Sequence, residues 1–361
     1  MENMVAPTRL LKGRKVLVTG HTGFKGAWLS LWLQMLGGEV VGYALPPPTS
    51  PSLFHIANVQ EGMCSIFGDI RHPGALGAVV RKHQPEIVFH LAAQSLVRRS
   101  YQDPVETYGV NVLGTVNVLE TVRLCDSVQS VLVITSDKCY ENTGRSLPYS
   151  EVDPLGGRDP YSSSKACAEL VAAAYRSSFF SEKPGASRTL GVATARAGNV
   201  IGGGDWAEDR LVPDIMRSFL DGRRVLIRNP DAVRPWQHVL DALNGYLALL
   251  ERMSYHAAQY AEAWNFGPDR ADAQPVSWVV DRIARLWGPE AGWELDAGLH
   301  PQEASTLVLD SSKSREKLGW MPRLPLAEAL EWTVDWYRAY QQGKNMRQFT
   351  EEQIIRFLEI R

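Results

Sequence analysis

The sequence has little of what would mark a disulfide-stabilised, metal-dependent or membrane-spanning protein. Its four cysteines, Cys64, Cys125, Cys139 and Cys167, are widely spaced with no Cys-x-x-Cys pair, which excludes a disulfide framework and a thiolate zinc site as organising features. The eight histidines include no His-Glu-x-x-His or comparable ligand spacing, so no metal is expected. No segment offers the roughly 18 uninterrupted apolar residues of a spanning helix, and the basic run from Arg9 to Lys15 has no apolar signal core beside it. An excess of one charge is lacking too: a formal charge of -2 gives no global reason to expect nucleic acid or an anionic membrane as partner. Internal repeats and low-complexity linkers are absent from the sequence. What is present is 45% apolar and 22% charged residues over 361 positions, the composition of a cytoplasmic globular protein of one large or two moderate domains.

The first half alternates short apolar runs with longer amphipathic ones. Lys15 to Gly20 (KVLVTG) reads as a strand, Gly20 to Gly26 as a glycine turn, and Ala27 to Leu36 as a helix stopped by Gly37 and Gly38. The spacing G-x-x-G-x-x-G between such a strand and helix allows a tight turn, close backbone approach to a pyrophosphate and presentation of helix N–H groups to it. A second strand, EVVGY from Glu39, should end in an acid for an adenosine ribose, yet it runs into Ala44, Leu45 and three prolines. Asp69, after Gly68, either meets an adenine or caps a helix before Arg71. Glu86 to Leu91 is a further strand opening into Ala92 and Ala93, small enough for a dinucleotide to lie close. Val105 to Cys125 reads as an amphipathic helix containing Asn111.

The stretch that organises the rest is Val131 to Tyr140, VLVITSDKCY. Four apolar residues form a strand buried on both faces, and at its end Thr135, Ser136, Asp137 and Lys138 arrive together. Ligands of open α/β sheets sit at the carboxyl ends of strands, so a hydroxyl, a carboxylate and an amine placed there suggest a reaction centre. Cys139 beside them has no accompanying base and reads as a packed thiol. The proline- and glycine-rich stretch from Glu141 to Asp159 is expected to be mobile or to touch substrate. Asp159 and Pro160 then start a helix on which Tyr161 and Lys165 share one face. An ammonium one turn from a phenol lowers its pKa and makes it a base. GVATAR from Gly191 is a sixth strand, and beyond Leu211 the elements shorten. The pattern is that of a doubly wound parallel sheet with a smaller C-terminal substrate-binding lobe: residues 1–200 plus about 230–268 bind a dinucleotide, and 201–229 plus 269–361 form the lobe.

VTGHTGFKG, HLAAQS, TSDKCY, DPYSSSK and RAGNVIGGGDW together resemble the extended short-chain dehydrogenase/reductase family, over nearly the whole chain. Within it, TSDKCYEN, GGGDW and RPWQHV are similar to the nucleotide-sugar 4,6-dehydratases. The resemblance implies a Rossmann sheet and NAD, with Gly20, His21, Thr22, Gly23, Phe24, Lys25 and Gly26 at the pyrophosphate, Asp69 and Ile70 at the adenine, and Leu91, Ala92 and Ala93 beside the cofactor. It implies that Lys165 holds the nicotinamide ribose, that Tyr161 deprotonates the sugar 4-hydroxyl with Ser136 sharing the hydrogen bond, and that Asp137 protonates the departing 6-hydroxyl. Lys138 departs from the pattern, because dehydratases of dTDP-glucose and GDP-mannose carry glutamate there. It is expected to act either as a neutral amine that takes the C5 proton or as a cation beside an enolate, its pKa depressed by Lys165, oxidised nicotinamide and burial. For the substrate, expected to be CDP-glucose, the resemblance points to Gln94, Asn199, Leu211, Arg217, Arg228, Arg234 and His300, with Arg234 suited to the diphosphate. A homodimer through the helices holding Val112 and Leu170 is expected. The alternatives are a nucleotide-sugar 4-epimerase, which needs neither Asp137 nor Lys138, and a non-catalytic dinucleotide-binding sensor or scaffold.

Overall fold

The structure, a computed structural model, describes residues 8–145, 147–180, 190–296, 298 and 307–360. Its strands are β1 Lys15–Thr19, β2 Glu39–Ala44, β3 Cys64–Phe67, β4 Ile87–His90, β5 Ser130–Ile134, β6 Gly191–Ala197, β7 Asn199–Ile201, β8 Val225–Ile227, β9 Val233–His238, β10 Ala263–Phe266, β11 Ala273–Pro275 and β12 Trp293–Leu295. Seven of them form one parallel sheet in the order β10-β6-β5-β4-β1-β2-β3. Alternate residues of its central strands enter two separate cores. Val16, Val18, Phe89 and Leu132 face the helices Phe24–Met35 and Val239–Tyr255, whereas Leu17, Val88, Val131 and Val133 face Pro73–His83 and Gly114–Arg123. That is why β4 and β5 read as apolar runs, and they and β6, which also carries Thr194 and Arg196, are buried along their whole length.

From β1 the chain winds outward to β2 and β3, then returns to β4 and winds the other way, so the crevice between β1 and β4 is the topological switch point. The two strand ends are tied there by Thr19 Oγ1 and His90 Nδ1, 2.7 Å apart. Past β6 the chain builds a three-stranded sheet, β11-β9-β7, and a two-stranded sheet, β12-β8. The helices Leu211–Leu220, Val276–Trp287 and Leu326–Gln341 pack with one another beside them.

Two expectations need correction. The long amphipathic run is helical from Pro104 to Arg123, but Gly109–Leu113 is a π turn that carries Asn111 inward. Among the described residues of the 141–159 stretch, none lines the cavity at the strand ends. It is pinned by bridges from Tyr140 to Leu155 and from Tyr149 to Leu309, and by an Arg145–Asp153 ion pair of 2.7 Å.

Candidate active site

One cavity of about 690 Å³ runs along the carboxyl ends of the strands, from the glycine turn to β8. The turn at one end is shaped by what its glycines exclude. Gly20 takes φ +80°, and a Cβ on it would lie 2.6 Å from the Ala92 nitrogen. A Cβ on Gly26 would lie 2.1 Å from the Gly20 carbonyl oxygen, whereas one on Gly23 would meet only that oxygen at 3.5 Å and otherwise occupy the cavity. The first N–H groups of the Phe24–Met35 helix therefore stand open to a ligand, and the residues fit a dinucleotide pyrophosphate. Thr22, Phe24, Lys25, Asp69, Ile70, Leu91, Ala92 and Ala93 line the same cavity. Burial, with the charges of Lys165 and Arg210, lowers the Lys25 amine to about 7. Asp69 is taken up by Arg71, whose backbone and guanidinium both donate to it.

His21 does not join them. Its ring lies over Gly42, its Nε2 is 2.7 Å from Ser65 Oγ, and burial pushes it down to about 4. It fills the place under β2 that a side chain at position 42 would occupy, so it shapes the turn from behind.

At the middle of the cavity lie Ser136, Asp137, Lys138, Tyr161 and Lys165. Asp159 caps the Pro160–Tyr175 helix through the Ser162 N–H at 2.9 Å, which sets the rotation that brings Tyr161 and Lys165 to the end of β5. Asn111, buried on its π turn, accepts from the Gln94 N–H and donates to the Gln94 carbonyl, each at 2.9 Å, and donates to Ser164 Oγ at 2.8 Å. It thus locks the loop after β4 to the Tyr161 helix. The Ser136 hydroxyl donates to Asp137 Oδ1 at 2.9 Å and accepts from the Lys138 N–H at 3.2 Å. Burial raises the Asp137 carboxyl, against the pull of Lys138, Ser136 and Arg234. Lys138 Nζ stands 6.0 Å from the centroid of the Tyr161 ring.

The expected pairing of Tyr161 with Lys165 takes a different form. Burial pushes the Tyr161 phenol up to about 12, and the counterweights are a hydrogen bond with Ser136 and the charge of Arg210. The Lys165 amine is lowered by burial to about 8 and donates instead to the Ile134 carbonyl at 3.2 Å.

Of the expected substrate residues, Asn199, Leu211, Arg228 and Arg234 line the far end. Gln94 does not: its amide is consumed by the Leu96 backbone and by Thr107 Oγ1 at 2.9 Å. Arg217 turns away to the Trp206 carbonyl and Asp214. His300 lies outside the described residues. Two arginines were missed. Arg210, one residue before the segment expected to hold the nucleotide, donates to Asp205 at 2.9 Å and to Ser95 Oγ at 2.7 Å. Arg98 joins Arg228 at Asp209, both at 3.3 Å. For Arg210 the available signal was its place at the end of DWAEDR, after Asp205, Glu208 and Asp209; nothing in the sequence singled out Arg98. Cys139 is fully buried, and burial raises its thiol far above its ordinary value, as a packed cysteine requires.

A parallel doubly wound sheet with this turn at its switch point, and a cavity lined on its far side by β8 and the Leu211–Leu220 helix, defines a Rossmann-type enzyme of the dehydratase and epimerase class. The chain belongs to the GDP-mannose 4,6-dehydratase family, whose model matches residues 17–333. It is 52% identical over 335 residues to the CDP-glucose 4,6-dehydratase of Salmonella typhimurium, an alignment covering 93% of each chain. Among solved structures, the UDP-glucose 4-epimerase of Thermus thermophilus in complex with NAD is 25% identical with a TM-score of 0.75, covering 90% of this chain and 99% of that one. The dTDP-glucose 4,6-dehydratase of Bacillus anthracis, also in complex with NAD, shares the fold at 22% identity and a TM-score of 0.75 over 92% of this chain and 99% of that one.

Proposed function

We propose that the protein converts CDP-glucose to the CDP-linked 4-keto-6-deoxy sugar, using NAD without net redox change. The observation that carries this reading is the Ser136–Asp137–Lys138 turn in the same cavity as Tyr161 and Lys165. An epimerase needs the tyrosine and lysine, but it has no use for a buried carboxyl and an amine beside them. The 52% identity to a CDP-glucose 4,6-dehydratase supports the nucleotide and the hexose together. When bound, NAD supplies the hydride acceptor for oxidation at C4 and the donor that returns hydride to C6.

In this reading Gly20, Gly23 and Gly26 hold the pyrophosphate, Lys165 the ribose, and Tyr161 takes the 4-hydroxyl proton with Ser136 in its hydrogen bond. The resulting 4-ketone acidifies C5. Lys138 then removes the C5 proton while Asp137 protonates the departing 6-hydroxyl, a role that suits a carboxyl whose burial favours the neutral acid. Arg234, Arg228, Arg210 and Arg98 supply the positive charge for the diphosphate. Residues 1–200 with about 230–268 carry the cofactor, and 201–229 with 269–361 carry the nucleotide sugar. We place the enzyme in the cytoplasm as a homodimer, feeding deoxysugar precursors to lipopolysaccharide synthesis.

The test is to incubate the protein with NAD and, separately, CDP-, dTDP-, UDP- and GDP-linked hexoses and to look for a 4-keto product. Turnover of CDP-glucose is the expected result; a C4 epimer in its place would overturn the reading.

A further inference from the structure

The turn formed by Ser136, Asp137, Lys138 and Cys139 is bracketed by Thr135 before it and Tyr140 after it, and both brackets end on one buried ion pair. Glu169 lies one helical turn beyond Lys165. Its Oε1 accepts from the Thr135 hydroxyl, and its Oε2 accepts from Thr194 Oγ1 at 2.7 Å and from Arg196 Nη2 at 2.8 Å. The Arg196 and Glu169 side chains are only 3% and 2% exposed. The second terminal nitrogen of Arg196 donates to the Tyr140 hydroxyl at 2.7 Å, with its guanidinium carbon 4.9 Å from the centroid of that ring. The Tyr140 hydroxyl in turn donates to Asn265 Oδ1 at 2.7 Å. Glu169, Arg196 and Tyr140 do not line the cavity, so none of them is placed to touch a substrate there.

A buried ion pair is seldom worth more to stability than an apolar pair of the same size, and its best attested use is to fix one arrangement among several. The arrangement fixed here is that of the two ends of the turn. Thr135 donates to the carboxylate and Tyr140 accepts from the guanidinium, so the side chains at the two ends of the turn meet on the pair, in addition to the backbone ties of Thr135 to the Ala195 carbonyl and of Tyr140 to Leu155.

We propose that the Glu169–Arg196 ion pair is a positioning device that holds the Thr135 and Tyr140 ends of the turn, so that Asp137 and Lys138 meet C6 and C5 of the sugar in register. The proposal rests on the dehydratase reading. Its consequence is selective. Tyr161 and Lys165 are held by their own helix, its Asp159 cap and the Ile134 carbonyl, whereas Asp137 and Lys138 sit on the turn itself, which packs against that helix. Loosening the turn therefore harms elimination more than oxidation, and a misplacement of about 1 Å can cost on the order of 100-fold in rate.

Tyr140→Phe and Arg196→Lys, both outside the cavity, each release Tyr140 from the pair while Glu169 keeps a cationic partner. Single-turnover experiments with NAD and CDP-glucose in deuterated water follow oxidation by the absorbance of reduced cofactor, and elimination by product formation and deuterium at C5. In both variants oxidation is expected to stay within about twofold of the unmodified protein, while elimination and C5 exchange slow by about tenfold or more and reduced cofactor accumulates. Equal slowing of both halves, or elimination at the unmodified rate, would overturn the proposal. Denaturation midpoints show that each variant is folded, and if one is not, the other carries the same test. Failure of the unmodified protein to form any 4-keto product is a separate result, and it removes the dehydratase reading itself.

Discussion

Asp137 and Lys138 sit side by side, and their surroundings differ. Asp137 is 5% exposed and burial raises its carboxyl, the direction that suits the acid role proposed for it, while Lys138 is only half-buried at the cavity wall. If Lys138 takes the C5 proton, Lys138→Met should lower turnover by on the order of 100- to 10,000-fold and abolish solvent deuterium at C5, with cofactor reduction retained. Full turnover and full C5 exchange in that variant would remove Lys138 from the reaction. The glycine turn separates cofactor binding from folding in the same way. Gly26→Ala must displace the Gly20 carbonyl and should destabilise the fold, whereas Gly23→Ala meets only one oxygen at ordinary contact distance. Gly23→Ala should therefore keep its melting temperature and lose NAD affinity, measured by calorimetry on the same preparation; unchanged affinity would mean that the pyrophosphate lies elsewhere.

At the scale of elements, the Val239–Tyr255 helix is fixed from its first turn by Asp241, which is fully buried and accepts from the backbone N–H groups of Arg323 at 2.6 Å and Leu324 at 3.4 Å. Burial pushes its carboxyl up to about 7 against those hydrogen bonds. An acid raised on folding binds its proton more tightly in the native state. Its contribution is complete below the ordinary carboxylate range and is lost as pH rises from about 4 through about 7, by up to roughly 4 kcal/mol. Asp241→Asn does not titrate, so the stability of the parent relative to this variant should fall between pH 5 and pH 8 in urea denaturation. A pH-independent gap would show that Asp241 titrates normally. Elements of this kind were only partly legible. β1, β2, β4 and β5 were readable because burial on both faces leaves a run of apolar residues, whereas β3, with Cys64 and Phe67 exposed, gave no such run, and the Asp159 cap announced its helix. The π turn at Asn111 was not, since its inward polar residue fits an ordinary amphipathic period, and β10 is only four residues long and gains its meaning from pairing with β6. Gln94 and Arg217 were misplaced for a related reason: which way a polar side chain points is decided by distant partners, Thr107 in one case and the Trp206 carbonyl in the other.

For the molecule as a whole, the two flanks of the sheet are treated differently. One flank is covered by the Phe24–Met35 and Val239–Tyr255 helices and sealed by the Met346–Glu359 helix, whose Phe357 packs on Trp32 with ring centroids 5.8 Å apart. The opposite flank, where the helical run Pro104 to Arg123 packs on Pro160–Tyr175, leaves large apolar side chains in solvent: Val105 is 81% exposed, Leu113 61% and Leu170 58%. Apolar residues exposed together on adjoining helices are the kind of surface that subunit contacts cover, and a two-fold pairing of the same flank would bury each copy's set against the other's. The protein is therefore expected to elute with twice its chain mass of 40.1 kDa in light scattering coupled to gel filtration. Leu113→Glu combined with Leu170→Glu should halve that mass while leaving the circular dichroism spectrum unchanged, because neither side chain belongs to the buried cores. A monomeric parent, or a dimer indifferent to both glutamates, would place the subunit contact on another face.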